Sequence, residues 1–314
     1  MTGRTILVTG VSGFVGPHLA RALTAAGARV AGLGLEPESP PGLPLDGWHT
    51  ADLGDAPAVT DAVARARPDA VVHLAGQSSA ARSFADPDGT FRANASGTAN
   101  LLEAVRAGAP SARVLVVGSG ESYGPQPEGS RVGEDAPFAP VSPYAASKAE
   151  ADRLAADAAA RGLDVVRVRA FSHTGPGQSP VFVVPGWAQQ VAAIEAGRSE
   201  PVLEVGNLEV TRDLSDVRDV VGAYVALLER GERGVAYNVC RGEGVRLTDV
   251  VRRLVALAKV PVRVETDLAR MRPADVPWLV GDPARIARDT GWRAAIPLER
   301  TLADVLEEWR GRAQ

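Results

Sequence analysis

Short β-branched runs alternate with amphipathic, Ala-rich stretches through the first half of the chain. Residues 5–8, 29–33, 70–74, 113–117 and 165–169 predict strands, with a weaker one near 48–52. The strong runs are apolar on both alternating faces, so each is expected to be covered on both sides. Between them, helical periodicity predicts helices over 14–26, 56–67, 88–107 and 143–161. Gly27, Gly108 and Gly162 fall where helices should end, as glycine C-caps do. Strands and helices alternating in this way predict an α/β fold, a doubly wound parallel sheet whose ligands bind at the carboxyl ends of the strands.

After about residue 170 the pattern loosens. A loop rich in Gly and Pro over 172–180 precedes an apolar helix near 183–196. Short strand candidates (202–205, 236–239, 262–265) then alternate with helices at 217–230, 247–258 and 298–309. The expected organisation is a nucleotide-binding unit over 1–171, with segments near 210–240 returning to it. A smaller C-terminal α/β lobe, mainly residues 172–314, would carry the substrate.

The turn between the first strand and first helix reads Val8-Thr-Gly10-Val-Ser-Gly13-Phe14-Val15-Gly16. Glycines at this spacing allow a sharp turn, bring backbone N–H groups against a pyrophosphate, and let the helix pack close to the sheet. The helix N-terminus adds favourable partial charge for the anion. These features predict a dinucleotide site. The second strand ends at Gly34 with Leu35 and Glu36 after it and no adjacent arginine to neutralise a 2′-phosphate. Glu36 can reach the ribose or stay a solvated loop charge; with it, NAD(H) is expected ahead of NADP(H). Asp52-Leu53 suits an adenine contact. His73-Leu74-Ala75-Gly76 is expected to pass under the cofactor with its backbone, His73 being a core histidine.

Tyr144 and Lys148 lie at i and i+4 near the start of a helix opened by Ser142-Pro143. A free phenol titrates near pH 10, and an ammonium on the same face is expected to lower it and ready it for proton exchange with a carbinol or ketone. The same lysine can bond the nicotinamide ribose. Ser119, ending the strand near 113–118, is placed to hydrogen-bond the oxygen on which the tyrosine acts.

Composition narrows the field. The 314 residues are 45% apolar and 23% charged, with a net charge of −4 that offers no general basic field for nucleic acid. One cysteine, Cys240, rules out a disulfide within one chain. Only four histidines occur, with no metal-ligand spacing, so no metal is expected. No apolar stretch approaches the roughly 18 to 20 residues of a membrane span, and no signal peptide precedes the first strand. A soluble cytoplasmic protein is expected.

These motifs, with Asn94-x-x-Gly97-Thr98, Ser119-x-Glu121-x-Tyr123-Gly124, Gly175-Pro-Gly-Gln178, Arg212-Asp213, Asp216-Val-Arg-Asp219 and Asn238-Val239, resemble the extended short-chain dehydrogenase/reductases that modify nucleotide sugars. The second half is most similar to GDP-4-keto-6-deoxy-mannose reductases and GDP-mannose 4,6-dehydratases, through Gly175–Ser179, Val205–Glu209 and 272–277. The resemblance implies that Ser119, Tyr144 and Lys148 form the proton relay, that Phe171 lies at the cofactor, and that Ser172, Arg212 and Arg272 meet the nucleotide sugar. It also implies a homodimer through helices 88–107 and 143–161. Two departures stand out. The family usually has Asn at Ser172, and Gly120 replaces the Ser or Asp that dehydratases carry before the glutamate. Glu121 is then a base without its acid, a substrate hydroxyl ligand or a structural acid. The leading expectation is reduction of a 4-keto sugar with Tyr144 as proton donor. A C4 epimerase with retained NAD, a 4,6-dehydratase and a non-catalytic dinucleotide sensor are the alternatives.

Overall fold

The computed structural model describes residues 1–271 and 276–313. Its centre is a seven-stranded, wholly parallel sheet. The order is Ala236–Val239, Val165–Ala170, Arg113–Ser119, Ala70–His73, Thr5–Thr9, Arg29–Gly34 and Gly47–Thr50. Successive side chains of one strand part to opposite faces, which is why its strands are apolar throughout. Ile6 and Val8 join one core with Leu19, Leu23, Val220 and Tyr224, from the helices Val15–Ala25 and Val217–Arg230. Leu7 joins another with Val59, Leu101 and Ala155, from Ala56–Ala66, Gly97–Gly108 and Pro143–Ala160. Order reverses between Thr5–Thr9 and Ala70–His73, the position where such sheets open a crevice for ligands.

The last strand of this sheet and the helix before it come from the second half of the chain, beyond a run of other elements. Those elements form a smaller sheet around Thr211–Asp216, which pairs with Ser172–Thr174, Gly244–Arg246 and Trp278–Leu279. A parallel pair, Val202–Val205 with Arg263–Thr266, lies beside it. Helices Val183–Glu195, Leu247–Val255 and Leu298–Arg312 pack around Leu203, Val205 and Leu214.

The helix expected over 88–107 differs in an informative way. It runs as Pro87–Phe91, a π-helical turn over Arg92–Ser96, and Gly97–Gly108. The widened turn seats the buried side chain of Asn94, whose bonds are described below. A short helix, Ala80–Ala85, capped by Ser79, precedes it and has no periodicity to betray it. The strand expected near 48–52 is Gly47–Thr50. Among the described residues, no helix is long and apolar enough to cross a membrane, and no group of three His, Cys, Asp or Glu is placed to hold a metal.

Candidate active site

Three glycines shape the loop that leaves the first strand. Gly10 has φ +67°, and a β-carbon there would lie 2.7 Å from the Ala75 Cα. One on Gly16 would lie 2.1 Å from the Val11 carbonyl oxygen. The loops after the first and fourth strands therefore meet backbone to backbone at the point of order reversal. Gly13 N–H donates to the Gly10 carbonyl at 3.0 Å. The helix Val15–Ala25 begins at Phe14 with no side-chain cap and no acid in its first turn. Its leading N–H groups are left for an external anion, so the loop fits a dinucleotide pyrophosphate.

Around this loop stand the other expected contacts. The Glu36 carbonyl accepts from Trp48 Nε1 at 3.0 Å and Thr50 Oγ1 at 2.9 Å. These bonds anchor the exposed Glu36 at the end of the second strand, where a β-carbon on Gly34 would come within 2.9 Å of its Oε2. Asp52 is exposed and accepts from Gly54 N–H at 2.8 Å; the carbonyl of buried Leu53 accepts from Asn100 Nδ2 at 2.7 Å. Leu74 and Ala75 are half-buried and Gly76 is exposed, at the carboxyl end of the fourth strand.

His73 is a satisfied core histidine. Ala75 N–H donates to Thr9 Oγ1, whose hydroxyl lies 2.8 Å from His73 Nδ1; His73 Nε2 lies 3.0 Å from Thr98 Oγ1, which donates to the Asn94 carbonyl at 2.6 Å. With both threonine protons so directed, the ring is neutral with its proton on Nε2. Burial, then the charge of Lys148, pulls its pKa down to about 3.

Tyr144 sits one residue after Pro143 at the start of its helix, where Ser142 Oγ accepts the Ala145 N–H at 3.1 Å. Its phenol stands beside Ser119, whose Oγ accepts from Glu121 N–H at 3.2 Å. Lys148 donates from Nζ to the Val117 carbonyl at 3.0 Å. Burial pulls the Lys148 pKa down to about 8. The phenol departs from the expectation that the lysine lowers it. Burial, followed by the charge of Glu121, raises it well above its ordinary value, with only the Ser119 bond opposing. Tyr144 therefore keeps its proton, because desolvation penalises the phenolate and the nearby carboxylate repels it.

The motif around Asn94 carried no assigned role, and the structure supplies one. Asn94 Nδ2 donates to the Gln77 carbonyl at 3.0 Å and to Ser147 Oγ at 2.9 Å, while its Oδ1 accepts from Gln77 N–H at 2.8 Å. Ser147 in turn donates to the Tyr144 carbonyl at 2.8 Å. A β-carbon on Gly76 would meet Asn94 Oδ1 at 2.5 Å and stand 3.7 Å from Lys148 Nζ. The π turn thus binds the loop after the fourth strand to the helix of Tyr144 and Lys148, a use π turns often have at functional sites. The sequence signal for it was an asparagine amid a helical pattern, where asparagine is a poor former.

In the second half, Phe171 is buried, packing with Tyr123, and its ring would lie 3.0 Å from a β-carbon on Gly120 and 2.7 Å from one on Gly281. Its ring belongs to the core, which leaves its backbone for any cofactor contact. Ser172 is half-buried and opens the strand that pairs with Leu214. Arg212 is half-buried and donates to the Thr211 and Val276 carbonyls at 3.0 and 2.5 Å. Asp213 is wholly buried and accepts from the N–H groups of Arg241, Gly242 and Gly281, which joins the two loops they lie on. Asp216 and Asp219 are structural: the first pairs with Arg218, and the second accepts from Ala295 and Ile296. Arg272 lies outside the described residues.

The sequence profile of the family described as GDP-mannose 4,6 dehydratase matches residues 7–305. The chain is 37% identical to the GDP-6-deoxy-D-mannose reductase of Pseudomonas aeruginosa, with 100% of this chain and 99% of that one covered. It is 32% identical to a UDP-glucose 4-epimerase of Azospirillum brasilense, covering 95% and 92%. Among solved structures, it superposes with a TM-score of 0.87 on the RMD protein of Pseudomonas aeruginosa complexed with NADPH, at 36% identity over 98% of this chain and 99% of that one.

Proposed function

The chain belongs to the GDP-mannose 4,6-dehydratase family, and on that premise we propose that it is an NAD(P)-dependent oxidoreductase that reduces a nucleotide-linked 4-keto-6-deoxy sugar of the GDP-4-keto-6-deoxy-mannose type. One observation carries this reading. Tyr144, in the first turn of its helix, stands beside Ser119 at the carboxyl end of a central strand, with Lys148 four residues on donating to the Val117 carbonyl at 3.0 Å. A bound dinucleotide supplies the hydride. Tyr144 holds the proton that the carbonyl oxygen takes up, and Ser119 orients that oxygen. Lys148 stands on the same helix face for the ribose. A phenol raised by burial suits the acid role that reduction requires, whereas epimerisation uses the same phenol first as base and then as acid.

Gly120 brings no acid to stand beside Glu121, so dehydration lacks half of its pair. The identity to an epimerase supports C4 epimerisation as the second reading. Arg212, Arg272 and Ser172 are assigned to the sugar diphosphate, received by the lobe built mainly from 172–314. Glu36 at the end of the second strand supports NAD(H) ahead of NADP(H), although the similar RMD protein is complexed with NADPH. A groove of about 510 Å³, lined by Phe91, Phe138, Pro140, Ala146, Ala149 and Ala156 among others, supports a homodimer through the helices around it.

The test is a panel of GDP-, UDP-, CDP- and dTDP-sugars, keto forms included, incubated with NADH and with NADPH. Net oxidation of dinucleotide with a keto sugar upholds the reductase. Conversion of a sugar to its C4 epimer, with no loss of water and no net change in dinucleotide, upholds the epimerase. Dinucleotide binding without turnover of any sugar refutes both.

A further inference from the structure

The helix that carries Tyr144 and Lys148 carries a third residue on the same stripe. Asp152 lies four positions beyond Lys148 and eight beyond Tyr144, about 12 Å along the helix. It is 5% exposed and faces two arginines of the strand Val165–Ala170. Arg169 grips both of its oxygens, Nε to Oδ1 at 3.2 Å and Nη2 to Oδ2 at 3.1 Å, and Arg167 Nη1 reaches Oδ2 at 2.7 Å. Arg169 then turns its Nη1 to the Tyr123 hydroxyl and the Glu134 carbonyl, both at 2.7 Å. Its guanidinium lies over the rings of Phe138 and Tyr123, 4.5 and 5.2 Å from their centres. The Tyr123 hydroxyl passes its own proton to Asn238 Oδ1 at 2.8 Å.

Tyr123 ends the 3₁₀ turn Gly120–Tyr123, which starts directly after Ser119. One rigid guanidinium therefore joins the segment that follows Ser119 to the helix that bears Tyr144. A buried ion pair is a weak source of stability, since desolvation offsets most of the attraction. A bidentate, ring-stacked one is instead demanding of geometry: the planar fork accepts its carboxylate in few orientations. A small slip of the helix would break two parallel bonds at once.

We infer that Asp152 and Arg169 are positioning residues, and that the chain Asp152–Arg169–Tyr123 sets the placement of the Tyr144 phenol against Ser119, and so against the substrate carbonyl. The inference rests on the reading of Tyr144 as proton donor. Neither residue is required to touch the substrate.

The test compares the full-length wild type with Asp152→Asn, Asp152→Glu and Tyr123→Phe, each assayed with dinucleotide and GDP-4-keto-6-deoxy-mannose. Asp152→Asn keeps the size and removes the charge. It is expected to lower kcat about 100-fold while KM and dinucleotide affinity stay within about twofold, since misplacement by an ångström costs that much in rate. Asp152→Glu restores the charge but moves the carboxylate by one methylene in a buried site, so positioning predicts kcat still lowered at an unchanged KM, whereas a purely electrostatic role predicts recovery. Tyr123→Phe removes one hydroxyl, leaves the ring under Arg169, and is expected to lower kcat about tenfold in the same pattern. It carries the test where Asp152→Asn does not fold. The inference is overturned if the folded Asp152→Asn protein, or Tyr123→Phe in its place, turns over within twofold of wild type, or if kcat falls only with the folded fraction. A wild type that does not reduce the keto sugar at all refutes the proton-donor reading instead, and the two failures are distinguished by that first measurement.

Discussion

Ser119 and Tyr144 stand beside each other, one at the end of a central strand and the other in the first turn of a helix. Two groups that converge on one point from different elements can hold a carbonyl oxygen between them. Removing the phenol proton should therefore remove the reaction and spare binding. Tyr144→Phe is expected to lower kcat by about 10² to 10⁴, the span usual for a lost acid, with dinucleotide affinity unchanged. Steady-state kinetics with a fluorescence titration of dinucleotide checks both halves.

Lys148 gives a pH-dependent prediction about stability. Burial takes its pKa from 10.5 to about 8 in the folded protein. Below about 8 the folded protein bears the full cost of a desolvated ammonium, Lys148 being half-buried. Between about 8 and 10.5 the unfolded chain holds the proton and the folded protein does not, so the cost fades as pH rises and is gone above 10.5. Replacing the lysine with Met removes this cost and also the bond to Val117. Tm of Lys148→Met relative to wild type is expected to fall steadily from pH 7.5 to pH 10, as measured by calorimetry or fluorescence melts. A difference that stays flat, or rises, would contradict the burial of the charge.

Gly120 marks the departure from the dehydratases, and the fold gives a reason for it. A β-carbon there would lie 3.0 Å from three atoms of the Phe171 ring, and one on Gly281 would lie 2.7 Å from the same ring, so the ring is closely packed. Gly120→Ser is thus expected to destabilise the protein by about 1–3 kcal/mol through overpacking, and to create no dehydratase activity. Urea unfolding and an assay for loss of water from GDP-mannose decide it.

On the proposed reading of Glu36 as the ribose contact, its carboxylate would repel a 2′-phosphate. Glu36→Ala is expected to shift the ratio of NADPH to NADH affinity by about tenfold toward NADPH, because repulsion is lifted from only one of them. Parallel titrations with the two dinucleotides measure it. An unchanged ratio would mean that the carboxylate lies outside reach of the ribose.

Much of this architecture was legible in the chain, and the limits have physical causes. Strands buried on both faces announce themselves by unbroken apolar runs, and the glycines at 10, 13 and 16 and the pair Tyr144 and Lys148 act through local spacing. The π turn at Asn94 was not legible, since it depends on bonds to Gln77 and Ser147 that only the folded chain brings near. Asp152 looked like an ordinary polar residue on an Ala-rich helix; its partners, Arg167 and Arg169, sit on a strand that periodicity alone would call buried and apolar. The spacing of eight from Tyr144 was the one available hint. The phenol's pKa lies beyond local spacing for the same reason: the helix places Lys148 on the right face, but burial and Glu121 set the direction, and both are tertiary.

The most direct measurement follows the hydride. GDP-4-keto-6-deoxy-mannose is incubated with dinucleotide deuterated at C4 of the nicotinamide, and the product sugar is read by NMR and mass spectrometry. One deuterium at C4 of the sugar, with one equivalent of dinucleotide oxidised, is the predicted result. Label that stays on the nicotinamide, with the 4-keto group left unreduced, would contradict it.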